Sequence, residues 1–248
     1  MLPMTKGRYT ARHATTALDI SRAHGLRHLC FIANRGLVTT SDVDAHDADC
    51  QHILIEHTAS ATPVGCYRIM AHPTSQKITA SYAAQFYDLS RLTAYPYPSL
   101  ELGRFCTHPD HPDPDILRLA WAALTSIVDD LGIKLLFGCS SFDGADPARH
   151  MAALAYLNTG PKAPNQWRPD TKSPHVFPLH MAVTPNAQPP NHAPATLPPL
   201  LRTYLAMGGW VSDHAVIDTG LNTLHLFTGV EIDAIPPARA RMLRALAT

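Results

Sequence analysis

Charge is scarce in this chain. Asp, Glu, Lys and Arg make up 16% of 248 residues, and bases and acids cancel at 20 each. No net field remains to draw a polyanion, so no nucleic-acid partner is expected and any basic surface must be local. Long apolar runs are missing too, and nothing approaches the roughly 18 residues of a membrane-spanning helix. The opening residues, MLPMTKGRYTARHA, lack the apolar core of a secretion signal. These absences point to a cytoplasmic protein and leave open peripheral contact with an inner membrane. Cysteine is sparse and scattered. Cys30, Cys50, Cys66, Cys106 and Cys139 are odd in number and form no CxxC pair. That argues against a disulfide framework and a zinc knuckle, and for buried thiols in a reducing compartment. The Walker loop, GxGxxG, GxSxG and HExxH are all absent, so the usual nucleotide, hydrolase and zinc-protease signatures are lost with them. The fifteen histidines read as surface or core residues, and no metal ligand is expected.

What is present is a good core. Hydrophobic residues are 46% of the chain, enough for one large domain or two small ones; a single domain over residues 1–248 is the expectation. A first strand is expected at Arg8–Ala11. Thr16 with Asp19 reads as a capping box that opens a helix from Ala17 to about Ala33, with Leu18, Leu26, Leu29 and Cys30 toward the core. The following segment to Cys50 is polar and acidic and reads as a loop. Gln51–Thr58 and Val64–Met70 form a hairpin, and Leu100–Cys106 is a further strand. Asp113 caps a helix that has Pro114 at its first position and ends at Gly132. Ile133–Ser140 is a short buried strand, and Asp146 with Pro147 opens another helix. Eleven of the 22 prolines fall in residues 161–199, read as an excursion inside the domain that contains a strand at HVFPLHMAV. A helix, strands at WVSDHAVID and TLHLFTGVEI, and a closing helix after Pro237 follow. The order implies an α/β fold on a mixed sheet.

Chemistry concentrates in ELGRFCTHPD, Glu101 to Asp110. Buried ions must be paired, because desolvation is costly. Residues three apart on a regular strand face opposite sides. Glu101 and Arg104 would share a face only if a β-bulge re-aimed one of them. Cys139 in FGCSSF, at a strand end, is the other place for a nucleophile; the plainer reading is a buried thiol.

DVDAHDADCQH followed by GCYRI, then ELGRFCTHP, then LFGCSSFDGADP, resembles the ornithine lipid biosynthesis N-acyltransferases. These are similar to acyl-homoserine-lactone synthases and are distant relatives of GNAT acetyltransferases. The resemblance runs from about Arg8 to the last helix. It implies a GNAT-like, autoinducer-synthase-like mixed central sheet flanked by helices. It implies transfer of a 3-hydroxyacyl chain from acyl carrier protein to the α-amine of ornithine or a related amino acid. The carrier's phosphopantetheine thioester would be the donor, with no other cofactor. Arg27 ahead of Phe31, Asp44, Asp47, Cys50 and His52, Arg68, and Glu101 with Arg104 match the family pattern. His46 stands where the family has an aromatic. On this reading Glu101 and Arg104 join Arg27, Asp44, Asp47 and Arg68 in one charged cluster, which either holds the amino acid or is a structural network that pins the N-terminal loop. Glu101 is either the base for the ammonium proton or an ion partner of Arg104 or Arg68. The backbone around Phe105 would supply oxyanion donors, and Ser140 would border the pantetheine arm. Arg149, Lys162, Arg168 and Lys172, or Arg239, Arg241 and Arg244, would dock the acidic carrier. The apolar chain would lie among residues such as Trp121, Leu136, Phe137, Phe142 and Met151. A lactone synthase, a non-catalytic carrier-binding module and a cysteine acyl hydrolase are the rival readings. The lactone synthases' tryptophan is not evident near Gly36, which weighs against the first.

Overall fold

The computed structural model describes residues 2–37, 41–183 and 193–247. In chain order the regular elements are β1 (Met4–Lys6), β2 (Tyr9–His13), α1 (Ala17–Phe31), β3 (Gln51–His57), β4 (Pro63–His72), β5 (Tyr87–Asp88), β6 (Ser99–Thr107), α2 (Pro114–Asp130), β7 (Leu135–Asp143), α3 (Met151–Thr159), β8 (Asp170–Thr171), β9 (Val176–Pro178), α4 (Pro199–Ala206), β10 (Trp210–Val211), β11 (His214–Asp218), β12 (Thr223–Glu231) and α5 (Pro237–Ala247). The fold is mixed α/β, with extensive sheet flanked by helices. The chain divides into two compact units. One holds Met1–Ala71, Leu100–Ile133 and Pro237–Thr248, and the other His72–Ser99 and Lys134–Pro236.

In the first unit the strands run β1-β2-β3-β4-β6. α1 starts where its capping box dictates. Asp19 N donates to Thr16 Oγ1 at 3.1 Å, and Thr16 N donates to Asp19 Oδ2 at 3.2 Å. Asp113 caps α2 by accepting from Asp115 N at 2.9 Å. Its other oxygen takes Arg8 at 2.6 Å and the Tyr9 hydroxyl at 2.9 Å, tying the start of α2 to β2. The inner face of α1 departs from expectation. Ala23 and Leu26 are buried, but Leu18 is 69% exposed and the fully buried long side chain is Arg27.

In the second unit the order is β7-β12-β11-β9, with β10 pairing β12 and β5 pairing β8. Strand alternation sends Leu135, Phe137 and Phe227 into one apolar cluster and Phe142, Leu224 and Leu226 into another. Trp210 packs flat against β12 at Gly229, where a Cβ would sit 2.4 Å from the indole. Three expected elements are corrected here. HVFPLHMAV is a strand only over Val176–Pro178, then a 3-10 turn over Leu179–Ala182. WVSDHAVID is two strands, because Ser212 enters the ladder: its hydroxyl donates to His214 O at 2.7 Å and accepts from Phe227 N at 3.2 Å. The helix expected after Asp146 begins as a 3-10 turn, Pro147–His150, before α3.

His72 is buried in this unit with its ring 5.7 Å from Phe137. Burial lowers its pKa to about 4. The folded value lies below the unfolded one of about 6.5, so the neutral ring contributes fully above pH 6.5 and loses its contribution as pH falls toward 4. The wild type should therefore lose about 3 kcal/mol more than His72→Phe over that range. Urea unfolding at pH 7 and pH 4.5 reads the difference; equal losses would contradict it.

Candidate functional site

Six ionic side chains from separate elements meet within the first unit. A short 3-10 helix, Ala45–Ala48, sets two of them. Asp44 caps it by accepting from His46 N at 3.0 Å, and Asp47 Oδ2 accepts from Asp44 N at 3.0 Å. This reciprocal cap fixes both carboxylates before any arginine arrives. Arg27 on α1 then forks onto Asp47, 2.6 Å to Oδ1 and 3.1 Å to Oδ2, and donates its Nε to Asp42 Oδ2 at 2.8 Å. Arg68 on β4 forks onto Asp44 at 2.7 and 2.8 Å and also reaches Asp47 Oδ1 at 2.6 Å. Arg104 on β6 closes the ring, 3.1 Å to Asp42 Oδ2 and 2.9 Å to Asp44 Oδ2. Three guanidiniums thus balance three carboxylates in planar, charge-assisted contacts.

The network has a dry end and a wet end. Side-chain exposure is 1% for both Arg27 and Asp42, 11% for Arg104 and 24% for Asp44. Solvent therefore reaches the network at Asp44 and Arg104. Burial opposes ionisation of Asp47, but hydrogen bonds from Arg27 and the Asp44 backbone outweigh it and hold the carboxyl below its ordinary range. Asp44 is held low by Arg68 against the same cost of burial. Both folded pKa values are depressed, so their contribution is complete above the unfolded carboxylate range and is lost as pH falls through it. Acid unfolding starting below about pH 4, followed by circular dichroism, is the expected result, and Asp47→Asn should lessen the pH dependence.

Arg104 reaches this cluster by an unusual backbone. Its φ is +52°, the left-handed region, inside a strand. Extended strand does not adopt that conformation, so β6 is irregular at Arg104 itself. A Cβ on Gly103 would lie 3.6 Å from Arg68 Nε, so this face of β6 looks onto Arg68. Glu101, two residues earlier on the same strand and 4% exposed, shares that face. Its charge is felt at Cys50. Burial pushes that thiol up to about 12, Arg68 pulls it down, and Glu101, Asp47 and Asp44 push it further up. Cys50 therefore carries no thiolate at neutral pH and offers no nucleophile.

The remaining expected residues fall elsewhere. The half-buried Phe105 ring stacks on Tyr67 at 5.5 Å and lies 6.2 Å from Trp121, in the first unit. Ser140 belongs to the second unit, where its buried hydroxyl accepts from Thr228 at 3.0 Å. Cys139 is half-buried against the aromatic cluster there. Leu136, Phe137 and Phe142 are fully buried core residues. Lys162 and Lys172 are committed to local carbonyls: Lys162 caps the end of α3 through Leu157 and Asn158, and Lys172 bonds Ala84 O at 2.6 Å. Arg244 forks onto Asp129 at 2.9 Å. The sequence reading missed Asp42, since the 34–50 segment has no periodicity to single it out. It also missed a second network, in which buried Asp19 and Glu56 are held by Arg12 and Arg22.

Comparison with known proteins follows the same lines. A family model described as an acetyltransferase (GNAT) domain matches residues 26–122, which include Arg27, Asp42, Asp44, Asp47, Arg68, Glu101 and Arg104. The structure of FeeM, an N-acyl amino acid synthase from uncultured soil microbes, covers 97% of this chain and 97% of its own, at 11% identity and a TM-score of 0.50. It is similar in fold. The L-ornithine N(alpha)-acyltransferase of Rhodobacter capsulatus is 30% identical over 239 residues, 92% of this chain and 91% of its own. That of Brucella abortus is 31% identical over 245 residues, 92% of this chain and 86% of its own. With that identity sustained over nearly the whole length, the chain belongs to the L-ornithine N(alpha)-acyltransferase family.

Proposed function

We propose that this protein transfers a 3-hydroxyacyl chain from the phosphopantetheine thioester of acyl carrier protein to the α-amine of ornithine, releasing a lyso-ornithine lipid in the cytoplasm at the surface of the inner membrane. The observation that carries this reading is the ring of Arg27, Arg68 and Arg104 with Asp42, Asp44 and Asp47, open to solvent at Asp44 and Arg104. Such a ring matches a zwitterion: guanidinium forks onto carboxylate, and aspartate receives ammonium.

Glu101 takes the proton that the α-ammonium must lose. The free amine attacks the thioester carbonyl carbon, and backbone N–H groups near Phe105 stabilise the oxyanion. The C–S bond then breaks, the amide remains, and the thiolate of the pantetheine arm leaves and takes up a proton. Holding both reactants together supplies much of the rate. The acidic, proline-rich THPDHPDPD before α2 favours a carrier protein over free coenzyme A, since aspartates beside the helix start repel a pyrophosphate.

The test is one donor, 3-hydroxyacyl carrier protein, incubated separately with ornithine, with each of the twenty standard amino acids and with S-adenosylmethionine, and read by mass spectrometry. N-acyl ornithine as the dominant product supports the proposal. Acylation of a different amino acid would move the acceptor, a lactone would indicate the synthase chemistry, and no amide from any acceptor would overturn the reading.

A further inference from the structure

Two histidines that acyl transfer does not use share Asp47 with the arginine–aspartate ring. His24 on α1, Asp47 in the 3-10 turn and His52 on β3 point at one another. His24 Nε2 is 3.8 Å from Asp47 Oδ2, and His52 Nε2 is 3.7 Å from Asp47 Oδ1. The three donor atoms all lie within 4.8 Å of one another. His24 Nε2 is buried and has no hydrogen-bond partner. We propose that His24, Asp47 and His52 form a binding site for one divalent first-row transition-metal ion, with zinc as the natural occupant.

Donor chemistry selects the ion. Two imidazoles and a carboxylate suit zinc, cobalt or nickel, whereas calcium and magnesium want oxygen throughout. Bonds of about 2.0–2.2 Å around a tetrahedral ion put neighbouring donors roughly 3.4 Å apart. His24 faces Oδ2 and His52 faces Oδ1, so an ion held by both carboxylate oxygens needs each of these spacings to close by only a few tenths of an ångström, while the two rings must approach each other somewhat further. Neutral imidazole is the metal-binding form, and an ordinary histidine is largely neutral at pH 7. His52 Nε2 sits 3.2 Å from the Asp47 carbonyl. Coordination replaces that contact and leaves the ring proton on Nδ1. Asp47 already accepts four hydrogen bonds, two from Arg27, one from Arg68 and one from Asp44 N, so the ion takes the place of at least one of them while Arg27 and Arg68 stay beside the carboxylate as outer partners. They orient it, and their charge keeps the affinity moderate. Water completes the coordination. The ion would join α1, the turn and β3 at one point. The sequence hid this, because twenty-three residues separate Asp47 from His24 and no motif spacing marks the set.

The test uses tag-free, chelator-stripped protein with zinc, and cobalt as the spectroscopic probe. The expected result is one equivalent bound at micromolar concentration, a Tm rise of roughly 5 °C at saturating zinc, and a cobalt visible spectrum showing nitrogen and oxygen ligands. His24→Ala, at a partly exposed position, should weaken binding at least 30-fold, and His24→Cys should restore it. The half-buried pair His108 and His111, with rings 4.9 Å apart, supplies the control, since His108→Ala should change nothing. The proposal is overturned if zinc binds no tighter than about 100 μM, or if the wild type and His24→Ala bind alike. This outcome is independent of the acyl-transfer assay.

Discussion

Arg27→Met should destabilise the protein by about 3–5 kcal/mol, the largest loss expected from any single change in the charged ring. Arg27 is 1% exposed and satisfies two carboxylates at once, Asp42 at 2.8 Å and Asp47 at 2.6 Å. Methionine keeps much of the apolar stem but leaves those carboxylates facing each other in a dry interior. The cost is that of stranded charge, and exceeds what the ion pair itself contributes. Adding Asp42→Asn should recover part of it, because the second change removes one of the stranded charges. Urea unfolding at pH 7 measures both. A loss below about 1 kcal/mol for Arg27→Met would mean that the ring is not structurally coupled.

Glu101→Gln should lower kcat by about 10²–10³-fold, within the usual range for a positioned proton acceptor. The substitution preserves shape and hydrogen-bonding capacity, so the KM for ornithine should change only a few-fold. The acid limb of the kcat/KM profile should also disappear if Glu101 is the group that must be ionised. The observation behind this is placement: Glu101 is 4% exposed on the face of β6 that looks onto Arg68, and Arg68 is bonded to the partly exposed Asp44. Were Glu101 only an ion partner, the variant would lose stability while kcat and the pH profile stayed near wild type. Measuring kcat and kcat/KM for ornithine across pH 6–9, together with unfolding, separates the two.

The legible parts of this molecule were those written in local chemistry. Thr16 with Asp19, and Asp113 with Pro114, are capping signals within four residues, and both helices start where those signals say. An irregularity near Arg104 was legible because an acid and a base three apart share a face of a strand only where the alternation breaks. Non-local charge was harder to see. Arg27 fills the inner face of α1 where Leu18 was expected, since two aspartates from a later loop make its burial affordable. Asp42 and the convergence of His24 with His52 depend on chain crossings that no spacing records. HVFPLHMAV read as a strand from its apolar residues, but Pro178 ends it at three residues.

The central claim is that the wet end of the ring binds the amino acid, and Arg104→Lys tests it most directly. Lysine keeps the charge and removes the fork that spans Asp42 and Asp44. Steady-state kinetics with 3-hydroxyacyl carrier protein should then show the KM for ornithine raised at least tenfold, with the KM for the carrier thioester within two-fold of wild type. An unchanged ornithine KM, or equal rises for both substrates, would contradict the claim.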